Sequence, residues 1–432
     1  MTASAVTATV PFGWFVAEAH AAGNLVVQPR MGFGTPEAMR AGLRRTRDAA
    51  ATTVGTLTLD SYTRVGDADA AAQALATGVP LNGYPITTHP ADVTMGVLDG
   101  LCDRTFPVQV RHGSARPQAI VAALAAAGLD ATEGGPVSYC LPYSRTPLVE
   151  AVANWVASCE ALATLCGPGR EPHLETFGGC LLGQLCPPSM LVAMSLLEAL
   201  FFTQHGIRSV SLSYAQQTNA EQDEEAVRAL CALAAEWLPD VDRHVVIYGY
   251  MGVYPETRAG ADRLLAASAR LAVRAGAARL IVKTTAEACR IPTVDENVAA
   301  LELAGRVAKT TDRPNQLVDG ADSETYHEAR ALVEAVLTLD GRLAVALPAA
   351  FRRGLLDVPF CLHPDNPGRA RSHIAADGRL RWADPGGLPL GRATTVTRHQ
   401  GITSAGLVAA LTHVRRTFDR PGPADHENGW GI

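Results

Sequence analysis

Residues 107–135, PVQVRHGSARPQAIVAALAAAGLDATEGG, read as strand, helix and strand in succession. The outer segments are short and apolar, while PQAIVAALAAAG is an Ala/Leu-rich run of helical period that closes on glycine, a common helix stop. Repeated units of this kind surround a parallel sheet. The same alternation runs outward in both directions. Toward the N-terminus lie LVVQPR (25–30), VGTLTL (54–59) and PLNGYPI (80–86), and toward the C-terminus HLETFGG (173–179), RSVSLSY (208–214), HVVIYGY (244–250) and RLIVKT (279–284). Nine strand candidates are one more than a closed eight-stranded barrel needs, so one of them is a loop or lies outside the barrel.

Helical segments fall between the strands, among them PEAMRAGLRRTRDAA (36–50), TPLVEAVANWVASCEALATL (146–165), SMLVAMSLLEALFFTQHG (189–206) and EEAVRALCALAAEWL (224–238). Several end in glycine or carry acidic residues early, as helix boundaries do. After about residue 320 the rhythm changes. TYHEARALVEAVLTL (325–339) predicts one more helix, and a Pro/Gly-rich stretch follows from Leu355 to Gly391. The expected organisation is a catalytic barrel over 1–320 and a C-terminal appendage over 321–432, ending in a mobile tail, DRPGPADHENGWGI, that lacks apolar periodicity.

A formal charge of −6 and a pI near 6.1 give no basic field for nucleic acid. No apolar run approaches the roughly 18–20 residues that span a bilayer, and no positive segment precedes the first apolar residues, so a cytoplasmic location is expected. Nine scattered cysteines without a CxxC pair point to reduced thiols, mostly in the core. Of 37 basic residues only Lys283 and Lys309 are lysine. Where arginine is used almost everywhere, a retained lysine suggests that a compact, titratable ammonium is wanted.

Polar groups gather at the C-terminal ends of the strand candidates. Arg30 closes LVVQPR, Arg64 follows LTLDSYT, Arg111 and His112 close PVQV, Glu133 closes LDAT and Lys283 closes RLIV. In a (β/α)8 barrel these positions converge on the top-face site. A single arginine there could equally be a loop residue in a surface ion pair; three at three strand ends imply a shared ligand. The rigid guanidinium fork matches a carboxylate bidentately, so three forks suit a dicarboxylate, and Glu133 suits a positive group such as an α-ammonium. Tyr139 and Tyr143 lie beside Glu133 and can hydrogen-bond the same ligand. HExxH, GxSxG and GxxxxGK[ST] are missing, and GFG at 32–34 lacks the third glycine of a dinucleotide fingerprint. An amino dicarboxylate site without an evident metal or nucleophile suggests that a cofactor carries the difficult chemistry.

Seven motifs in order, QPRMG, DSYTR, LNGYP, VQVRHG, EGGPVSYCLPY, QLCPPS and VKTTAEACRIPT, resemble the large, epsilon subunit family of glutamate mutase (methylaspartate mutase). The resemblance runs from about Leu25 through LDVPF (356–360) to GLPL (387–390). It implies an α/β fold, a (β/α)8 TIM barrel with a smaller C-terminal α+β appendage, that caps adenosylcobalamin. The corrin would be held mainly by a separate small subunit carrying DxHxxG, a motif this sequence lacks. Two large subunits would pair within a heterotetramer. Arg30, Arg64 and Arg111, with His112, match residues that grip the substrate carboxylates. Glu133, Tyr139 and Tyr143 match residues that hold the ammonium and the nearby carboxylate, and Glu133 is the candidate for moving a proton. Gly32, Asn82, Pro142, Tyr254, Lys283, Glu287 and Ile291 match contacts to the cobalamin or its adenosyl group. The implied reaction interconverts L-glutamate and (2S,3S)-3-methylaspartate by radical fragmentation and recombination.

This sequence departs from the family at Pro136 and Cys140, in the lack of an arginine before the glutamate of LETFGGC (174–180), and at YGY (248–250). A related radical mutase acting on another amino dicarboxylate in a specialised biosynthetic pathway is the nearest alternative. A non-catalytic barrel that binds an acidic amino acid or serves in assembly is the alternative of a different class.

Overall fold

Eight short parallel strands close on themselves. They are β1 (Val26–Gln28), β2 (Gly55–Thr58), β3 (Val108–Arg111), β4 (Ala131–Gly134), β5 (His173–Thr176), β6 (Ser209–Ala215), β7 (Asp242–Tyr248) and β8 (Arg279–Ile281). The structure, a computed structural model, describes residues 10–314, 320–390 and 403–420. From β2 to β8 each strand pairs with its neighbour in sequence, and β8 pairs with β1. The seam between β1 and β2 is closed by a parallel bridge at Val27 and Thr53, with Val27 N–H donating to Thr52 O at 2.9 Å. The architecture is a (β/α)8 barrel with a small antiparallel sheet beside it.

The ninth candidate, PLNGYPI, is not a strand. Pro80 and Pro85 remove ladder donors, and only Tyr84 reaches the sheet, in a single bridge to Leu59. A Cβ on Gly83 would stand 2.5 Å from the Asp60 backbone nitrogen, so this turn lies directly on the end of β2.

The helices between strands begin and end where their caps dictate. Thr35 caps helix Pro36–Arg47 by accepting from Ala38 N–H, with proline at the first helical position. Thr293 and Glu296 form a reciprocal capping box at helix Val294–Thr310, a helix the sequence reading does not name. Gly276 ends helix Arg258–Ala275 in the left-handed conformation, φ 79°. Helix Pro188–Gln204 is buried on nearly every side because helices Glu324–Leu337 and Leu343–Arg353 pack on the face turned away from the barrel. Its apolar residues therefore run all round rather than along one stripe. Beyond them a hairpin, β9 (Arg371–Ile374) and β10 (Leu380–Asp384), buries Trp382, whose indole N–H donates to Ser189 Oγ and Glu328. Most of the expected mobile tail, residues 421–432, lies outside the described residues.

Helix Phe12–Ala21 plugs the N-terminal end of the barrel. Phe12 packs tilted against His173 with ring centroids 5.1 Å apart, and a Cβ on Gly13 would meet Ser209 Oγ at 2.3 Å, so only glycine lets the helix approach so closely. No helix among the described residues is long and apolar enough to cross a membrane. All nine cysteines are free and five are buried, so most thiols do sit in the core.

Candidate active site at the barrel mouth

Side chains alternate along a strand, so every second residue points into the barrel. Here many of those residues are polar, while Val26, Val54 and Ala131 in the same register pack with Phe12. At the floor His173 bonds Ser209 and Ser211, and Ser209 donates to Asp242 at 2.7 Å. In the middle layer Arg279 is fully buried and bonds Gln28, Glu175 and Ser211, while Gln28 also donates to Thr56 and Gln109. Above it stand Arg111, Glu133 and Tyr248.

Arg111 is the last residue of β3. Its Nη2 lies 2.7 Å from Glu133 Oε2 and 3.2 Å from the Tyr248 hydroxyl. Its Nη1 is buried and has no hydrogen-bond partner among the described residues. Glu133 accepts from Tyr139 at 2.5 Å through Oε1 and lies 2.7 Å from the Tyr248 hydroxyl through Oε2. That hydroxyl also bonds Glu175. Burial raises Glu133, against the attraction of Arg111 and with the repulsion of Glu175 added. Glu175 is lowered in spite of burial, because Arg279 and then Arg111 hold its charge. The two carboxylates are thus pushed apart in opposite directions. Arg111 itself stays above its ordinary value, the contacts with Glu133, Tyr248 and Glu175 outweighing its desolvation.

His112 turns away from the strand and stacks on Trp155 with ring centroids 5.9 Å apart. Its Nδ1 accepts from Ser114 N–H at 3.1 Å, so a neutral ring carries its proton on Nε2. Among the described residues that Nε2 is buried and unpartnered, as is Thr58 Oγ1 on β2. Burial, with Arg64 and Arg111 nearby, pushes His112 down to about 3. It is a neutral donor at physiological pH.

Arg64 sits on the short helix Ser61–Val65, which Asp60 caps through Tyr62 and Thr63 N–H. Its Nε donates to Leu59 O at 3.0 Å. Burial lowers Arg64 first and Arg30 repels it, while Tyr139 and Glu133 pull the other way. Tyr143 is half exposed, edge-on to Tyr139 with centroids 6.0 Å apart.

Arg30 faces a second cluster. Its Nη1 lies 3.1 Å from Glu287 Oε2, and Lys283 Nζ lies 3.5 Å from the same oxygen and 4.7 Å over the Tyr254 ring. Thr284 N–H holds the other Glu287 oxygen in a capping box. Burial lowers Lys283, offset by Glu287 and reinforced by Arg30. The remaining named residues are spread around the rim. Gly32 packs on β2, where a Cβ would meet Thr58 O at 2.0 Å. Asn82 is exposed and accepts from Ser61 N–H. Pro142 and Tyr143 line a cleft of about 500 Å3 together with Leu182, Phe360 and Leu362. Ile291 is exposed.

The structure therefore divides the named residues into a group around Arg111 and Glu133 and a group around Lys283 and Glu287, with Arg30 and Arg64 between them. Sequence reasoning gave no role to Tyr248, Glu175 and Arg279. The signal was present as polar residues two apart within strands, at 173 and 175 and at 209, 211 and 213, and four apart at 244 and 248.

The profile of the family described as "Methylaspartate mutase E chain (MutE)" matches residues 9–408. A glutamate mutase epsilon subunit of Halobacterium salinarum is 34% identical over 351 residues, covering 77% of this chain and 71% of its own. The protein of the same name from Haloarcula marismortui is 31% identical, with 82% and 74% covered. That from Desulfitobacterium hafniense is 30% identical, with 88% and 81% covered.

Proposed function

Because the chain belongs to the methylaspartate mutase E chain family, we propose that it is the large subunit of an adenosylcobalamin-dependent glutamate mutase, interconverting L-glutamate and (2S,3S)-3-methylaspartate. One observation carries the substrate class: the guanidinium of Arg111 spends one amino group on Glu133 and Tyr248 and keeps the other buried and unpaired. An unpaired buried donor of this kind is destabilising until a carboxylate fills it. Arg64 and the Nε2 of His112 extend the donor set, and Glu133 supplies the negative charge for an ammonium. Together they suit an amino dicarboxylate.

The second cluster fits an adenosyl group. A lysine ammonium and a carboxylate that share one oxygen contact offer the donor and acceptor that a ribose diol needs, and Tyr254 provides an aromatic wall. Adenosylcobalamin, when bound, supplies the radical chemistry for hydrogen abstraction. Every other demand falls on the protein. Arg30, Arg64 and Arg111 hold the carboxylates by charge, so that both parts of a fragmented substrate stay in reach of one another. Glu133 holds the ammonium, and Tyr139 orients Glu133. The apolar rim at Tyr143, Leu182 and Leu362 excludes water when a partner subunit covers it.

The partner on this reading is a small cobalamin-binding subunit. The test is co-expression with such a subunit and an assay for 3-methylaspartate from L-glutamate. Cofactor-loaded complex that leaves glutamate unchanged would overturn the proposal.

A further inference from the structure

We propose that Tyr248 is a positioning residue through which the buried Glu175–Arg279 ion pair keeps a proton on Glu133 until substrate arrives; the inference rests on the role given to Glu133 above. The phenol is within hydrogen-bond reach of Glu133 Oε2, at 2.7 Å, and of Glu175. It has one proton and can donate to one carboxylate. Glu175 is the acceptor that stays ionised, because its charge is held by Arg279 and by Gln109 Nε2 at 3.3 Å. The phenol oxygen then turns a lone pair toward Glu133, and a contact at that distance is satisfied only when Glu133 carries the proton. The completed chain runs from the Glu133 carboxyl to the Tyr248 hydroxyl, to the Glu175 carboxylate, to Arg279.

The groups facing this chain are Arg111 from β3, Tyr139 from the turn after β4, Cys180 from the turn after β5 and Arg279 from β8, with Arg64 beyond them. Arg111 favours an ionised Glu133; burial and Glu175 favour the neutral acid. A neutral Glu133 leaves the charge of Arg111 open to a substrate carboxylate. When an ammonium enters, Glu133 gives its proton to solvent and becomes the carboxylate that pairs with it.

The direction of the effect separates this chain from an ordinary phenol-to-carboxylate bond. Tyr248→Phe keeps the ring, which packs edge-on to Phe177 at 5.4 Å, and removes the acceptor that the protonated acid needs. Carboxyl carbon NMR of the full, substrate-free chain, with Glu133→Gln to assign the signal, should show the Glu133 titration falling by about one pH unit in Tyr248→Phe. A phenol that merely donates to Glu133 would leave the midpoint higher on its removal, and a packing role would leave it unchanged; either result overturns the proposal. Glu175→Gln should lower the midpoint as well, and if that variant fails to fold, Tyr248→Phe decides alone. Calorimetry of L-glutamate binding in buffers of different ionisation enthalpy adds a second readout: proton release near neutral pH should shrink in Tyr248→Phe. A chain that shows the NMR shift without binding or converting glutamate sinks the mutase reading and supports the relay.

Discussion

Arg279 and Arg111 stand one above the other inside the same barrel and do different work. Arg279 in the middle layer is matched by Gln28, Glu175, Ser211 and His244, with its flat face over the Phe12 ring at 4.9 Å. Arg111 at the mouth is matched on one side alone. A buried guanidinium whose hydrogens are answered by the protein is part of the framework; one left partly unanswered keeps a donor for an anion, the role proposed for Arg111. The difference lies in how many neighbouring strands turn a polar residue inward at each level.

The largest effect is expected where the match is complete. Arg279→Met leaves Glu175 buried without its counter-charge and should destabilise the fold by about 3–5 kcal/mol, read as a lower urea midpoint. The double variant with Glu175→Gln should regain much of that loss; if it does not, the pair is not the reason for the damage. Arg111→Lys attacks the other member of the comparison. A lysine cannot keep Glu133 and a substrate carboxylate in two directions at once, so turnover should fall about 100-fold with thermal unfolding little changed. A comparable loss of stability would mean that Arg111 too is framework.

The floor and the mouth also share buried neutral histidines. Burial, then Arg279, pushes His173 down to about 3, and His112 is lowered to the same level. A folded pKa below the unfolded value of about 6.5 means that the unfolded chain binds more protons, so stability should be lost as pH falls below 6.5. Each such histidine contributes about 2 kcal/mol of that loss by pH 5. His173→Gln should flatten the acid side of the stability profile measured by urea unfolding; an unchanged slope would place the lability elsewhere. The smallest effect is expected at the rim, where Tyr143→Phe keeps the ring against Tyr139 and removes a half-exposed hydroxyl. The KM for glutamate should rise about threefold with kcat nearly unchanged.

Much of this barrel was legible in the sequence because its signals are local. A strand that ends in Arg111 and a helix that ends in glycine announce themselves within a few residues. PLNGYPI misleads for an equally local reason, since apolar residues suggest a strand while its two prolines withdraw the ladder donors. Helix Phe12–Ala21 turns Phe12, Phe15, Val16 and Ala19 inward, a stripe that Trp14, Ala17 and Ala21 on the exposed side blur in the sequence. The Arg111 and Glu133 positions were readable as strand ends, whereas Tyr248 and Glu175 look like ordinary strand residues until the strands are brought together.

By itself, then, the sequence determined the order of strands and helices, the polar positions at the strand ends and the charge types available for a ligand. Only the tertiary structure decided the partners. Arg30 meets Glu287 across 257 residues, Arg279 meets Glu175 across 104 and Tyr248 meets Glu133 across 115. The physical reason is that strand periodicity sets which face a side chain occupies, while barrel closure sets which faces meet and at what level. Which arginine is fully matched and which keeps a donor unpaired depends on that level, and no single segment contains it.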